Sequence, residues 1–453
     1  MDQKIEYKKF YSYIFIFFYL VQGFVQGIPY LVFQPYLTKI LGGYNLDSWL
    51  LVYSVSNIPW AIKMIVGLFN DRWGSKKYGR RFPWIISFGV VSAISWFIMS
   101  AYIPTDSSIY GFLMFYLFFV MLGIAFADTA LDGLILDVVP KEKLATVQGY
   151  TWSMLLLGMG AGGMLLGYVF LLLDLMHILF IITGLLVILA CFFPYFIEEL
   201  PIDNVSRKEW GQDLLTFITK KKNWKIFLYT FMGAIQAVLI LEFFKYAVLI
   251  PMGVLDVNQT LVSLTGESTP EGYQAWNSIF YLSNGIGTFV FSIFAGRYSD
   301  KGRRNASRFF YLTYIPFCII SIIPFLFIGD FLPALIIGLI FILLFGGLQG
   351  ALVVTNQTIR ADLAKHDYPN LKSTYYALLI SFSNAGQNIG SLAGAWILNI
   401  AILITTNYNI IYFLVAVFCA FCLTISFLIF RSLDPADYEL GKVLKTSEDI
   451  FFT

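Results

Sequence analysis

The stretch GLFNDRWGSKKYGRRFPW, residues 67–84, puts one aspartate and five basic residues between two apolar runs, near 48–69 and 83–103. Each run reaches the ~20 residues that cross the hydrocarbon core of a bilayer as a helix. So short and basic a turn between two spans reads as cytoplasmic, because Lys and Arg collect on that side of a membrane. The pattern returns as AGRYSDKGRRNASRFFY at 295–311, with Asp300 in the place of Asp71. A second echo occurs at nearly the same separation: LDVVPKEKLATVQGYT carries Asp137, and ADLAKHDYPNLKSTYYAL carries Asp362. Basic loops after spans are common. Two matched signals at one separation predict a chain built as two similar halves, as many transporters are.

The composition agrees with a membrane chain. Of 453 residues, 58% are hydrophobic and only 13% charged, and the mean hydropathy is +0.74. A soluble domain would carry roughly a quarter charged residues. Twelve apolar segments of spanning length are predicted, near 11–38, 48–69, 83–103, 110–136, 147–173, 176–197, 224–250, 274–296, 307–328, 331–358, 373–403 and 408–431. The first follows MDQKIEYKKF and shows no small-residue cleavage pattern, so it is expected to be a retained span. Of 30 Lys and Arg, all but Lys39, Lys63 and Lys245 lie in the tails, in the loops after spans two, four, six, eight and ten, or at their edges. This asymmetry predicts a multi-pass integral membrane protein with both termini cytoplasmic. The predicted domains are a six-helix bundle over 1–197, an inter-bundle loop over 198–223 containing KKKNWK, a second bundle over 224–431 and a cytoplasmic tail over 432–453.

The loop at 67–84 holds Gly67, Asp71, Arg72, Gly79, Arg80 and Arg81. Carboxylate and guanidinium groups at a helix end make charge-assisted bonds that a motion can break and remake. Topogenic charge is the plainer reading of any one of these arginines. The series of a Gly, an Asp-Arg pair and then Gly-Arg-Arg resembles the loop signature of the major facilitator superfamily. That resemblance implies an all-α membrane protein with twelve transmembrane helices in two pseudo-symmetric six-helix bundles, rocking about a central site. It also implies a cytoplasmic gate in which these residues latch helix ends, with Asp300, Arg303 and Arg304 as the second copy. Lys301 follows Asp300 where the first copy has Arg72. A narrower likeness rests on Lys63 before Asp71, GFVQGIPY in span one, the aspartates of span four followed by VPKEKLA, and GRRFPW. Together these resemble the branch that holds AmpG-type muropeptide permeases and acetyl-coenzyme A transporters. The likeness covers mainly residues 20–150. Val66-Gly67 stands where that branch often has an aromatic-proline pair.

Span four ends in ADTALDGLILD, residues 127–137. A carboxylate in hydrocarbon costs several kcal/mol at least, so an intramembrane carboxylate is a functional candidate by default. At 1.5 Å per residue, Asp132 lies roughly 12 Å from a helix end near residue 140, and Lys63 roughly 12 Å from Asp71. The matched depth predicts a Lys63–Asp132 pair across neighbouring helices, which lowers the cost of both charges. Asp128 is one turn further in on the same face. Asp128 and Asp132 are candidates for transport or proton coupling, with a static bond as the plain alternative. Lys63 is read equally as a static partner or as a contact for a substrate anion. Asp137, at the helix end, reads as a latch partner for Arg80 or Arg81.

Span one carries Gln22, Gln26, Tyr30 and Gln34 at four-residue steps. Four polar groups on one face of a span want a wet cavity rather than lipid. Span seven carries Gln236, Glu242 and Lys245, and the last two can pair at i,i+3. Lys245 can also simply snorkel toward an interface. Glu242 is a second coupling candidate. Asn356 in span ten and Asn384 in span eleven are further solute-contact candidates, with interhelical hydrogen bonding the bland reading. Glycines crowd span five (Gly158, Gly160, Gly162, Gly163, Gly167) and recur in span eleven (Gly386, Gly390, Gly394), predicting close helix packing at both.

The sequence has no Walker loop and no Ser-His-Asp pattern, its four cysteines fall in spans, and its two histidines fall in loops. No enzymatic activity, cofactor, metal site or nucleic-acid partner is expected. The reading is a secondary active transporter, proton-coupled, for a muropeptide- or sugar-like solute or an acyl-coenzyme A-like one. A monomer in the bilayer is expected, with the solute and protons as its partners. A sugar–cation symporter is the alternative, since GRRFPW also resembles that group's loop. A remote alternative is an intramembrane prenyltransferase using Asp128 and Asp132 to bind pyrophosphate through magnesium. Such enzymes use two acidic motifs, and the repeat positions here are Val353 and Gln357.

Overall fold

The computed structural model describes residues 6–41, 46–75, 77–199, 207–254 and 273–440. The described chain is helical, with one isolated bridge between Ser75 and Gly79 in the loop after span two. Among the described residues, ten helices are long and apolar enough to cross a membrane. Two further helical runs, 141–172 and Lys372–Ile404, fill the positions predicted for spans five and eleven. Contacts divide the chain into two compact units, one of Met1–Thr219 with Arg360–Ser381 and one of Lys220–Ile359 with Phe382–Thr453.

The first unit opens with α1 (Lys9–Leu31), which continues through Pro29 and breaks at Val32 before α2 (Phe33–Leu41). Span two is not one helix. It runs as α3 (Leu46–Ser56), α4 (Ile58–Ile62) and α5 (Met64–Asn70), with interruptions at Asn57 and Lys63. Pro59 near the start of α4 lacks the N–H that would continue the ladder from α3. Next come α6 (Phe82–Ala101), α7 (Ile109–Val138) and α8 (Lys141–Gly158). Pro83 sits in the first turn of α6, where a missing N–H costs nothing. Span five then widens into a π-helix, Met159–Leu166, before α9 (Gly167–Leu172). After it come α10 (Met176–Phe192) and α11 (Arg207–Thr219). Within this unit α6 packs on α7 and α10, and α1 packs on α8 and the π-helix.

The glycines explain the α1–α8 seam. A Cβ on Gly158 would overlap the Leu20 carbonyl, and one on Gly23 would overlap the Leu155 carbonyl. Without side chains at these points, the two backbones meet directly.

The second unit contains α12 (Lys221–Ala234), α13 (Gln236–Leu249), α14 (Tyr273–Ser299) and α15 (Arg303–Ile320). It also holds most of α16 (Phe331–Asp367) and α17 (Lys372–Ile404), and all of α18 (Tyr408–Arg431). Its core is α18 packed against α12, α13 and α15. Gly386 and Gly390 of α17 lie against the Phe231 and Ile235 carbonyls at the α12–α13 junction. Spans one and five meet through glycine in one unit, and spans seven and eleven do so in the other. The internal repeat read from the loops therefore extends to the packing. Asn407 closes the N-terminus of α18 by accepting a 3.0 Å bond from the Asn409 N–H.

Candidate functional site

The interruption of span two falls at Lys63, between α4 and α5. Its side chain points into the unit and is 2% exposed. The ammonium donates to Asp128 Oδ2 at 2.9 Å and lies 3.9 Å from Asp132 Oδ2. Both aspartates project from one face of α7, as i,i+4 spacing requires. Asp132 Oδ1 accepts the Tyr19 hydroxyl of α1 at 2.6 Å. The Lys63 ammonium also sits 5.4 Å from the Trp60 ring centroid. The expected Lys63–Asp132 ion pair is present at 3.9 Å, and a closer one joins it. The direct bond goes to Asp128, and Asp132 is held mainly by a tyrosine that the sequence reading did not single out. Matched helical depth was a sound guide to the neighbourhood. It could not choose between two carboxylates one turn apart. The group holds two carboxylates against one ammonium.

Two buried amides lie on the helices around this group. Gln22 is one turn along α1 from Tyr19, and its Oε1 has no hydrogen-bond partner among the described residues. The same holds for Nε2 of Gln148 on α8. Gln26 is half-buried, and the side chain of Tyr30 lies outside the described residues, as does that of Gln34.

A second charged assembly closes the far end of α7. Arg81 is fully buried and donates from Nη2 to Asp71 Oδ1 at 2.6 Å and from Nε to Asp137 Oδ2 at 3.0 Å. It also bonds the Asn70 side chain. Arg80 reaches both Asp137 oxygens, at 3.1 and 3.0 Å. Lys372, at the start of α17, is 2.5 Å from Asp137 Oδ1. The free oxygen of Asp71 accepts the Thr374 backbone N–H and hydroxyl, both at 2.7 Å. Asp71 therefore caps the first turn of α17 while holding Arg81, and a negative group there also suits the helix dipole. Gly67 matters by absence of bulk, since a Cβ would lie 2.8 Å from Thr374 Cα. Ser373 bonds the Thr129 carbonyl at 3.2 Å, next to Asp128. One turn of α17 thus touches the gate carboxylates and the α7 backbone next to Asp128. Arg72 lies 5.8 Å from the Trp73 ring centroid.

The arginine pair has a further partner. Glu199, just after span six, accepts the backbone N–H groups of Arg80, Arg81 and Phe82 at 2.6, 2.6 and 2.8 Å. Burial pushes its carboxyl above the ordinary glutamate value, against the pull of the N–H groups of Arg81 and Phe82. Gly79, at φ +85°, makes the turn beside this carboxylate. The second half repeats the device: Glu439 accepts the N–H groups of Arg303 and Arg304 at 2.9 and 2.7 Å. Here Asp300 pairs with Arg303 at 2.8 Å within the turn itself. The Glu-Leu pairs at 199–200 and 439–440, each after the last span of a half, were the available signal.

In the second unit, tyrosines meet two of the amides singled out in the sequence. Tyr314 donates to Gln236 Oε1 at 2.6 Å, and Tyr229 donates to Asn356 Oδ1 at 2.6 Å. Asn356 returns a 3.2 Å bond to the Tyr311 hydroxyl. Asn384 is half-buried. Glu242 pairs with Lys245 at 2.7 Å. Of the two readings of Lys245, the i,i+3 pair is the one present, and the side chain is 1% exposed.

The sequence matches the Major Facilitator Superfamily over residues 15–378. A 160-residue stretch is 31% identical to "Probable folate-biopterin transporter 4" of Arabidopsis thaliana, covering 34% of this chain and 31% of that protein. Solved structures of similar fold include the transporter FucP in its outward conformation, with a TM-score of 0.66 at 12% identity over 93% of this chain and 97% of that one. Another is the human organic anion transporter MFSD10, with a TM-score of 0.56 at 15% identity over 93% of this chain and 98% of that one. At such identities the likeness is one of fold. The superfamily match takes in the broken span two, the paired aspartates and the arginine loop, and the chain belongs to the Major Facilitator Superfamily, as a multi-pass membrane transporter rather than an enzyme.

Proposed function

We propose that this chain is a proton-coupled secondary transporter of an organic solute of the folate and pterin class. It works as a monomer with both termini in the cytoplasm, by alternating access of the six-helix bundles 1–197 and 224–431. The observation that carries the coupling is the buried group of Lys63, Asp128 and Asp132, with one cation against two carboxylates. Each buried ion carries a penalty of several kcal/mol that only a partner offsets. One ammonium offsets one carboxylate, and a proton on the other makes the group neutral. Taking up that proton and giving it to the opposite side is the elementary act of coupling. The break in span two at Lys63 supports this reading, because discontinuous helices mark ion and substrate sites in transporters.

The assembly around Asp71, Arg80, Arg81 and Asp137 acts as the cytoplasmic gate. Its bonds to Lys372 and Thr374 are the ones a cycle breaks and remakes. Ser373 gives the coupling group a route to the gate, since its hydroxyl touches the backbone beside Asp128. The 31% identity to a folate-biopterin transporter supports the solute class. The Lys and Arg asymmetry of the loops supports the orientation.

Uptake of folate and biopterin by liposomes holding the purified chain tests the proposal. An imposed inward proton gradient is expected to drive accumulation. Asp128→Asn and Asp132→Asn are each expected to abolish accumulation while leaving the protein folded. Gradient-driven accumulation that survives both substitutions would remove these residues from the coupling role.

A further inference from the structure

The second unit holds a buried cation that the coupling group leaves unused. Lys245 of α13 is 1% exposed. Its ammonium meets Glu242 Oε2 at 2.7 Å, one turn earlier on the same helix, and lies 4.2 Å from the Tyr281 ring centroid of α14. The Tyr281 hydroxyl donates to the other oxygen of Glu242. The enclosure is uneven. The Glu242 side chain is 35% exposed while that of Lys245 is 1% exposed. The carboxylate is the accessible member of the pair, and the ammonium is the enclosed one.

An enclosed ammonium holds a counter-anion strongly, because little water screens it. We propose that Lys245 seats a carboxylate of an anionic solute, which replaces Glu242 as the latter leaves the ion pair in its protonated form. The balance is simple: one aqueous proton goes to a Glu242 oxygen, one solute carboxylate goes to Lys245, and the charge of the site is unchanged. The inference rests on the solute class proposed above, in which folate carries carboxylates and biopterin carries none.

The surroundings of Glu242 fit this exchange. Among the described residues, Lys245 faces it from its own helix and Tyr281 from α14. From α18, Tyr408 bonds the Phe243 carbonyl at 2.8 Å. From α15, Tyr314 bonds Gln236. From α16, Gln349 bonds the Ala237 carbonyl, and Phe341 and Phe345 meet Phe244. Gly394 brings α17 against Leu239 and Phe243.

The test is equilibrium binding of folate and biopterin to the full chain in lipid nanodiscs, at acidic and at neutral pH. Wild type is expected to bind folate more tightly at acidic pH. Lys245→Met is expected to lower the ratio of folate to biopterin affinity by about tenfold or more, and Lys245→Arg to retain the ratio. Glu242→Gln is expected to lose the part of the folate pH response that biopterin does not share, so that both compounds respond to pH alike. An unchanged ratio in Lys245→Met, or a wild-type pH response in Glu242→Gln, overturns the inference. Biopterin has no carboxylate for Lys245, so its gradient-driven uptake reads the proton coupling alone. Biopterin accumulation beside an unchanged folate ratio sinks this inference and leaves the coupling standing. A wild type that binds neither compound sinks the solute class and this inference with it.

Discussion

Lys63 is where the electrostatics of the first unit concentrate. Among the described residues it is the single ammonium between two carboxylates that have almost no contact with solvent. Lys63→Met would leave both carboxylates without a cation, and breaking a buried pair in this way destabilises by about 3–5 kcal/mol. Adding Asp128→Asn to Lys63→Met removes the charge that lost its direct partner, and should recover much of the loss. Thermal unfolding of wild type and the two variants in detergent checks this. A Lys63→Met protein as stable as wild type would mean that the group is already neutral by another route. These residues were legible because a charge stands out in an apolar run. Tyr19 was not, since the chain has 28 tyrosines and nothing in the sequence marks the one that bonds Asp132. Glu199 and Glu439 escaped notice for another reason. Their partners are backbone N–H groups, which every residue but proline carries.

Among the elements, two helices stand out as broken or brought unusually close. Span two breaks at the residue that carries its charge, and span five widens to a π-helix where its glycines cluster. Wide turns of this kind often sit at functional positions. Two neighbouring glycines test what the seam requires. A Cβ at Gly158 runs into the Leu20 carbonyl, whereas a Cβ at Gly160 meets nothing within 4 Å. Gly158→Ala is therefore expected to destabilise by about 1–3 kcal/mol, as overpacking does. Gly160→Ala is expected to be neutral or stabilising by up to about 1 kcal/mol, the difference in helix propensity. Equal melting temperatures for the two variants would contradict direct backbone contact between α1 and α8. The sequence showed that glycines crowd span five. It could not show which of them face α1, because a π-helix shifts the register that a regular helix would predict.

For the whole molecule, the doubled plan was readable from two loop signals, and it reappears in paired glutamate caps and paired glycine seams. The attachment of Arg360–Ser381 to the first unit was not readable. It depends on Lys372 and Thr374 reaching Asp137 and Asp71, and in sequence these are an ordinary lysine and threonine after a basic loop. In the proposed cycle that short segment is the contact that releases, and protonation of the buried carboxylates is what releases it. The central claim is that solute and proton move together through Asp128 and Asp132. Proton movement during solute entry tests it most directly, read by a pH-sensitive dye inside liposomes that start with no proton gradient. The account predicts that the lumen acidifies in step with folate or biopterin uptake, and that Asp128→Asn and Asp132→Asn each abolish the signal. Solute entry by the wild type with no change in luminal pH would contradict it.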